Sequence, residues 1–387
     1  MPEYMVLSVP EAEQSATAKL APSMLEKTSP PSPKLERQTL SPFDAVEVEA
    51  KREVRVVARR MPIQLIAPLS VTQEPAATTA WGLAAVGADT SMFTGAGATV
   101  AVLDTGIDAD HPAFDGVEIT EKDFTGEGNG DWHGHGTHCA GTILGRNVGG
   151  VRIGVAPGVT KLLVGKVIGQ QSADSTMLFD AIDWAVKAGA DVISMSLGID
   201  FPGYVARRIL LDKMPIEAAV SDALEAYRNN LRMLDAILGM LRVGKEYDRD
   251  AVIIAAAGNE SRRPDYKVAT SIPGAVLDVI SVAALRQEGD EFQVAGFSNS
   301  LPQLAGPGFN ILSAQAGTKG LVAMSGTSMA CPHVAGIAAL CWEALTKEGQ
   351  DPSGANIIAR LMASARRDRI DKGSTRDDVG LGMVTAP

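Results

Sequence analysis

Residues 98–112 read ATVAVLDTGIDADHP, a run of apolar and β-branched residues that ends in an acid and a glycine. A short continuous apolar run is the pattern of a parallel strand covered on both faces. An acid at the carboxyl end of such a strand lies at the rim where open α/β sheets bind ligands. Runs of the same kind recur at 161–168, 191–195, 251–257 and 278–284, with helical stretches at 175–187 and 328–345 between or after them. Gly189 stands just past the first of these helices, where a helix stops. This alternation predicts an α/β fold, a mostly parallel, doubly wound sheet with helices on both sides.

Composition bounds the function. Of 387 residues, 45% are apolar and 21% charged, enough to bury a sizeable core. A net charge of −11 argues against nucleic acid as a partner, because phosphate binding needs a basic face. No stretch reaches the roughly 18 consecutive apolar residues of a membrane span. Three cysteines (Cys139, Cys331 and Cys341) make no disulfide framework, and reduced thiols suit a reducing compartment. The first residues, MPEYMVLSVPEAEQ, lack a basic and then apolar leader pattern. The expectation is a cytoplasmic protein, with another start site left open.

Residues 1–75 read differently from the rest. Positions 22–42 are rich in Pro and Ser and are expected to be extended or disordered. The segment 45–58, AVEVEAKREVRVVA, alternates valines at the strand period. This region is expected to be a pro-segment or regulatory tail, and 76–387 the catalytic domain. One element breaks the β-α alternation. Over about 215–243, apolar residues recur at Val220, Leu224, Tyr227, Leu231, Leu234, Leu238 and Leu241, a heptad seam. Pro215 suits its first turn and Gly244 its end. The long amphipathic helix lies on its own domain, pairs with another copy, or acts as a lid.

Three segments carry chemistry: the strand ending in Asp104; HGHGTHCAG at 133–141; and SGTSMACPHVAG at 325–336, where Ser328 opens a helix. A serine hydroxyl needs an imidazole to take its proton and a carboxylate to orient that imidazole. The chain order Asp, His, Ser differs from that of α/β-hydrolases, and no G-x-S-x-G elbow surrounds Ser328.

LDTGID, HGHGTHCAG and GTSMACPHVAG closely resemble the active-site signatures of the subtilase family of serine peptidases, in that family's order. The likeness runs from about Trp81 to the closing DVGLGMVTAP. It implies a subtilisin-like fold, an inserted helix at about 205–246, and a serine endopeptidase acting on polypeptides, with Asp104, His135 and Ser328 as its triad. IIAAAGNES at 253–261 resembles the stretch that supplies the oxyanion donor, which makes Asn259 that residue. By the same resemblance Ser196, Leu197 and Gly198 line one side of the substrate pocket and Ala256, Ala257 and Gly258 the other. Small residues there imply a large apolar substrate side chain, and Glu260 at the mouth would also admit Lys or Arg. Family members often begin with an inhibitory propeptide, which implies self-cleavage somewhere in 55–80.

No cofactor is expected for the chemistry. His133, His135 and His138 lack the i, i+4 spacing of a helical zinc site. Structural calcium occurs in many subtilases, but Ala113 and Val148 stand where the family usually offers ligands, and Asn147 is one residue out of register. Acids at Asp108, Asp110, Asp115, Asp123 and Asp131 read equally well as a solvated loop. Cys139 is expected beneath the His135 helix and His333 to be structural. A peptide-binding pseudoenzyme and an esterase are the competing readings; a complete set of three residues and their order count against them.

Overall fold

The structure, a computed structural model, describes residues 1–9, 34–66, 71–72, 80–171, 173–243 and 250–387. The part of the Pro-rich stretch before residue 34, and Gly244, lie outside them.

The N-terminal residues build a small lobe. Strand β1 (Glu3–Ser8) is flanked by antiparallel partners β2 (Lys34–Thr39) and β3 (Val54–Arg59), with α1 (Pro42–Glu49) between them. The Val46–Val48 alternation, read as a strand, is helix. Pro42 stands in the first turn, and Ser41 and Asp44 form a reciprocal capping box that satisfies the first free N–H groups. Alternate residues of β1 serve two faces: Tyr4 and Val6 pack with Ala45 and Val57, whereas Met5 and Leu7 join the core of the main body. Beyond this lobe come two short strands, β4 (Ile63–Leu65) and β5 (Val71–Thr72).

In the main body, α2 (Trp81–Ala85) leads to β6 (Thr99–Asp104), β7 (Glu118–Asp123), α3 (His135–Leu144), β8 (Lys161–Lys166) and α4 (Ser175–Lys187). Then follow β9 (Val192–Met195), β10 (Leu197–Ile199), α5 (Phe201–Leu210), α6 (Ile216–Val243), β11 (Val252–Ala256) and β12 (Val279–Glu288). The chain closes with β13 (Glu291–Val294), β14 (Leu304–Pro307), β15 (Ile311–Ala314), β16 (Leu321–Met324), α7 (Thr327–Lys347), α8 (Gly354–Ser364) and α9 (Arg376–Val379).

The large sheet runs β7-β8-β6-β9-β11-β12, continued by β13 and β14, which both pair with β12. Every pairing is parallel except β12 with β13. Alternate residues of β6 feed two cores: Val100 and Val102 pack with α3 and α7 residues, Ala101 and Leu103 with α4 and α6 residues. The chain leaves β6 for β7 and then β8 on one side and later reaches β9 on the other, so the carboxyl end of β6 lies at the switch point of the sheet. Asp104 is its last residue. Helix α7 has the length and hydropathy of a membrane span, but 89% of that window is buried within this chain, as befits a central helix.

Of the heptad read in the sequence, Leu234 and Leu238 are buried, Val220, Tyr227 and Leu231 are half-buried, and Leu224 is exposed. Ala219, Ala223, Ala226, Asn230, Met233 and Ile237 are buried beside them. Small side chains let β3 approach closely. Asn230, fully buried there, donates to the carbonyls of Arg59 and Ala226. The apolar face is therefore covered by this chain's own N-terminal lobe, together with α4 and α5.

Candidate active site

Helix α3 begins at His135 directly against the end of β6. A Cβ on Gly136 would sit 2.2 Å from the Gly106 carbonyl oxygen, so only glycine permits this approach. Asp131 caps the helix from outside it: its carboxylate accepts from the backbone N–H groups of His133, Gly134 and Thr137 and from the Thr137 and Thr105 hydroxyls. Thr105 in turn accepts from Gly136 N–H at 2.9 Å. Held this way, His135 Nδ1 lies 2.8 Å from Asp104 Oδ1 in a fully buried pair. The contact assigns the proton to Nδ1 and leaves Nε2 as the basic nitrogen.

Ser328 lies in the first turn of α7, which packs against α3. Cys139, one turn beyond His135, ties the two elements: its Sγ is 3.8 Å from His135 Nδ1 and 3.4 Å from the Ser328 carbonyl. The Ser328 hydroxyl does not meet His135. It donates at 2.7 Å to the carbonyl of Ile66. His135 Nε2 is buried with no hydrogen-bond partner among the described residues.

Ile66 belongs to an extended segment lying in the cleft. Strand β4 pairs antiparallel with β10, Leu65 opposite Leu197 and Gln64 opposite Gly198, and Ile66 N–H donates to the Ser196 carbonyl at 3.3 Å. The Ile66 side chain is buried, its Cδ1 3.8 Å from where a Cβ on Gly198 would stand. Across the same space is Ser271 Oγ, 3.1 Å from that point. Ala256, Ala257 and Gly258 are buried at the end of β11, where Gly258 has a φ of +114° that favours glycine.

Asn259 follows. Its Oδ1 accepts from Thr327 N–H and the Thr327 hydroxyl, which orients Nδ2 the other way, 2.9 Å from a Cβ position on Gly326. Glu260 is exposed, and its Oε2 accepts from Asn299 Nδ2 at 2.6 Å. Asn299 also donates to the Ala257 carbonyl and accepts from Glu260 and Ser261 N–H, bracing the loop.

The remaining histidines do not converge. His138 is buried with Nε2 on the Ile311 carbonyl, His133 is exposed, and His333 is buried with Nδ1 on the Met329 carbonyl. Burial pushes His138 down to about 3 and His333 to about 4. Burial also holds the Cys139 thiol well above its usual range, so it is a poor nucleophile.

The residues at the expected calcium positions do not fit a cation. Ala113 is buried and apolar, and Val148 pairs its backbone with Val151. Nearby carbonyls are taken by guanidinium groups: Arg146 donates to Leu144, Pro157 and Val159, and Arg152 to Ala88, Gly154 and Val155.

Thr105, Asp131, Ser271, Asn299 and Thr327 were not singled out for these roles in the sequence. Asp131 was grouped with solvated loop acids, and only its place three residues before Gly134 hinted at a cap. Thr105 and Thr327 lie inside the LDTGID and GTSMACPHVAG stretches, which is a signal for them, whereas nothing local marks Ser271 or Asn299.

A family model described as the subtilase family matches residues 95–382. The chain is 34% identical over 253 residues to an intracellular serine protease of Paenibacillus polymyxa, covering 64% of this chain and 67% of that one. It is 34% identical over 299 residues to the major intracellular serine protease of Bacillus subtilis (strain 168), covering 74% and 81%. An alkaline proteinase of Hapsidospora chrysogena is 32% identical over 302 residues, covering 75% and 64%.

Proposed function

Since the chain belongs to the subtilase family and is a subtilisin-like serine endopeptidase, we propose that Asp104, His135 and Ser328 are its catalytic triad, made as a precursor whose own N-terminal segment fills the cleft. The observation that carries this reading is the 2.7 Å contact between Ser328 Oγ and the carbonyl of Ile66, on a strand docked antiparallel along β10. An extended peptide adds a strand to an open edge in this way, its backbone supplying affinity and its side chains the fit.

In the reaction Ser328 Oγ attacks the carbonyl carbon while His135 Nε2 takes its proton. Asp104, on Nδ1, stabilises the imidazolium. The tetrahedral oxyanion turns toward Asn259 Nδ2 and the Ser328 N–H. Collapse expels the amine, protonated by His135, and leaves an acyl-enzyme. Water, deprotonated by the same nitrogen, releases the acid. In the described state the Ser328 proton points at the carbonyl oxygen instead of Nε2, a docked but unreacted register.

The bond that follows Ile66, to Ala67, is the one presented. Residues 1–66 are thus an inhibitory segment, residues from Ala67 onward the mature enzyme, and about 205–246 an insertion whose helix α6 carries the segment. The docked side chain is aliphatic, which supports substrates with an apolar residue before the scissile bond. Two relatives are named intracellular, and the three thiols here are buried and unpaired. A cytoplasmic location fits both.

The test is to incubate the full chain beside its Ser328→Ala variant and weigh the products. Cleavage between Ile66 and Ala67 in the parent alone is expected. A parent that stays intact, or a variant cut equally, defeats self-processing, and failure of a fluorophosphonate to label Ser328 of the processed chain defeats the triad.

A further inference from the structure

We propose that Tyr227 of α6 is a positioning residue for the pocket that receives the substrate side chain preceding the scissile bond, an inference that rests on the cleft reading above.

On one side of this pocket is β10, which runs through Asp200 into Phe201. Besides the 256–258 stretch on the other side, Ser271–Ile272 lies across from Gly198. Tyr227 touches both Phe201 and Ile272. Its ring meets Phe201 edge-on, with centroids 5.7 Å apart and planes at 87°. Its phenolic oxygen accepts the Ile272 N–H at 3.2 Å. The Ile272 carbonyl accepts from Ile199 N–H at 3.0 Å. The wall is therefore fastened to β10 by its carbonyl and to α6 by its amide.

Ile272 is fully buried, so its N–H has no water to turn to if the phenol is removed. Ser271, one residue earlier, places its hydroxyl in the space above Gly198 that Ile66 Cδ1 also approaches. A shift of the 271–272 backbone alters the depth of that space directly. Tyr227 is on the helix that docks the N-terminal lobe through Asp222 and Asn230. One helix thus holds both the inhibitory lobe and the pocket wall.

The test uses the full chain, with active sites counted by a small fluorophosphonate. Peptide anilides carrying Ala, Leu or Phe before the scissile bond are compared for the parent and Tyr227→Phe. The Phe variant keeps the ring contact with Phe201 and loses only the acceptor. Its labelling rate should match the parent, while the Leu-to-Ala ratio of kcat/KM falls by about fivefold, mostly through KM. Tyr227→Leu should lower the ratio further. A Phe variant that retains the parent ratio at equal labelling overturns the proposal. So does a uniform fall for all three substrates, which marks a purely structural role. A self-processed parent that takes no label removes the triad on which this inference rests, and the inference with it.

Discussion

The hydroxyl of Ser328 donates to the carbonyl of Ile66, 262 residues earlier in the chain, at 2.7 Å. The segment that carries Ile66 is at once the occupant of the cleft and the tether of a folded lobe. If the pocket grips its side chain, Ile66→Asp places a charge in a buried apolar space, at high cost. The expected outcome is slower cleavage after residue 66 and faster fluorophosphonate labelling of the uncut chain. Unchanged rates of both would remove Ile66 from the pocket.

The lobe is clamped at Asp222. Its carboxylate accepts from Arg59 at 2.7 Å, Arg208 at 2.8 Å and the Tyr204 hydroxyl at 3.1 Å. The side chains of Arg59 and Asp222 are only 19% and 16% exposed, between a surface pair and a buried one. Asp222→Asn leaves two guanidinium groups facing a neutral amide and should weaken lobe docking by about 2 kcal/mol. Gel filtration after self-cleavage reads this. The parent's fragments should stay together and the variant's separate at lower concentration.

If Asn259 is the oxyanion donor proposed above, Asn259→Ala removes that donor. Loss of one such donor in subtilisin lowers turnover by about 10²–10³, and a fall of that order in kcat with little change in KM is expected. Thr327→Val frees Asn259 Oδ1 from the hydroxyl that orients it, and should reproduce part of the loss. Burst kinetics on an activated ester would show a slowed acylation step.

Acid should destabilise the fold through two histidines. Burial lowers His138 to about 3 and His333 to about 4, against an ordinary 6.5. Below about pH 6.5 the unfolded chain takes up these protons and the folded one does not, so folding stability falls as pH drops. Each group costs up to about 1.4 kcal/mol per pH unit in that window. Tm should be level from pH 8 to 7 and fall by pH 5, and His333→Gln should remove about half of the slope. A level Tm across the whole range would contradict this.

The guanidinium groups of Arg146 and Arg152 donate to carbonyls of the 144–159 loops. Chelation by EDTA should leave Tm unchanged, while Arg146→Ala, which strands three carbonyls, lowers it by several degrees. A large loss of Tm on chelation would reverse the assignment.

The five strands read as continuous apolar runs are all present, because burial on both faces leaves a local signature. Strands β14 to β16 are four residues each: Gly306 and Pro307 interrupt β14 and Ser313 interrupts β15, while β16 is apolar throughout but too short to stand out from a buried loop. The buried face of α6 is wider than the heptad: Leu234 and Leu238 are buried as read, but Leu224 is exposed beside a buried Ala223. Leu224 outweighs Ala223 in any hydropathy pattern, yet β3 can approach only where side chains are small. Residues 45–49 alternate like a strand, but the cap at Ser41 overrides them.

By itself the sequence determined a parallel sheet, an acid at its rim and a helix starting at Ser328, because strand burial and helix starts depend on neighbours a few residues away. Only the tertiary structure decided that the Ile66 carbonyl meets the Ser328 hydroxyl, that Asp131 holds the His135 helix and that Tyr227 accepts the Ile272 N–H. These contacts run through backbone amides and carbonyls, which every residue carries alike and no side-chain pattern reveals.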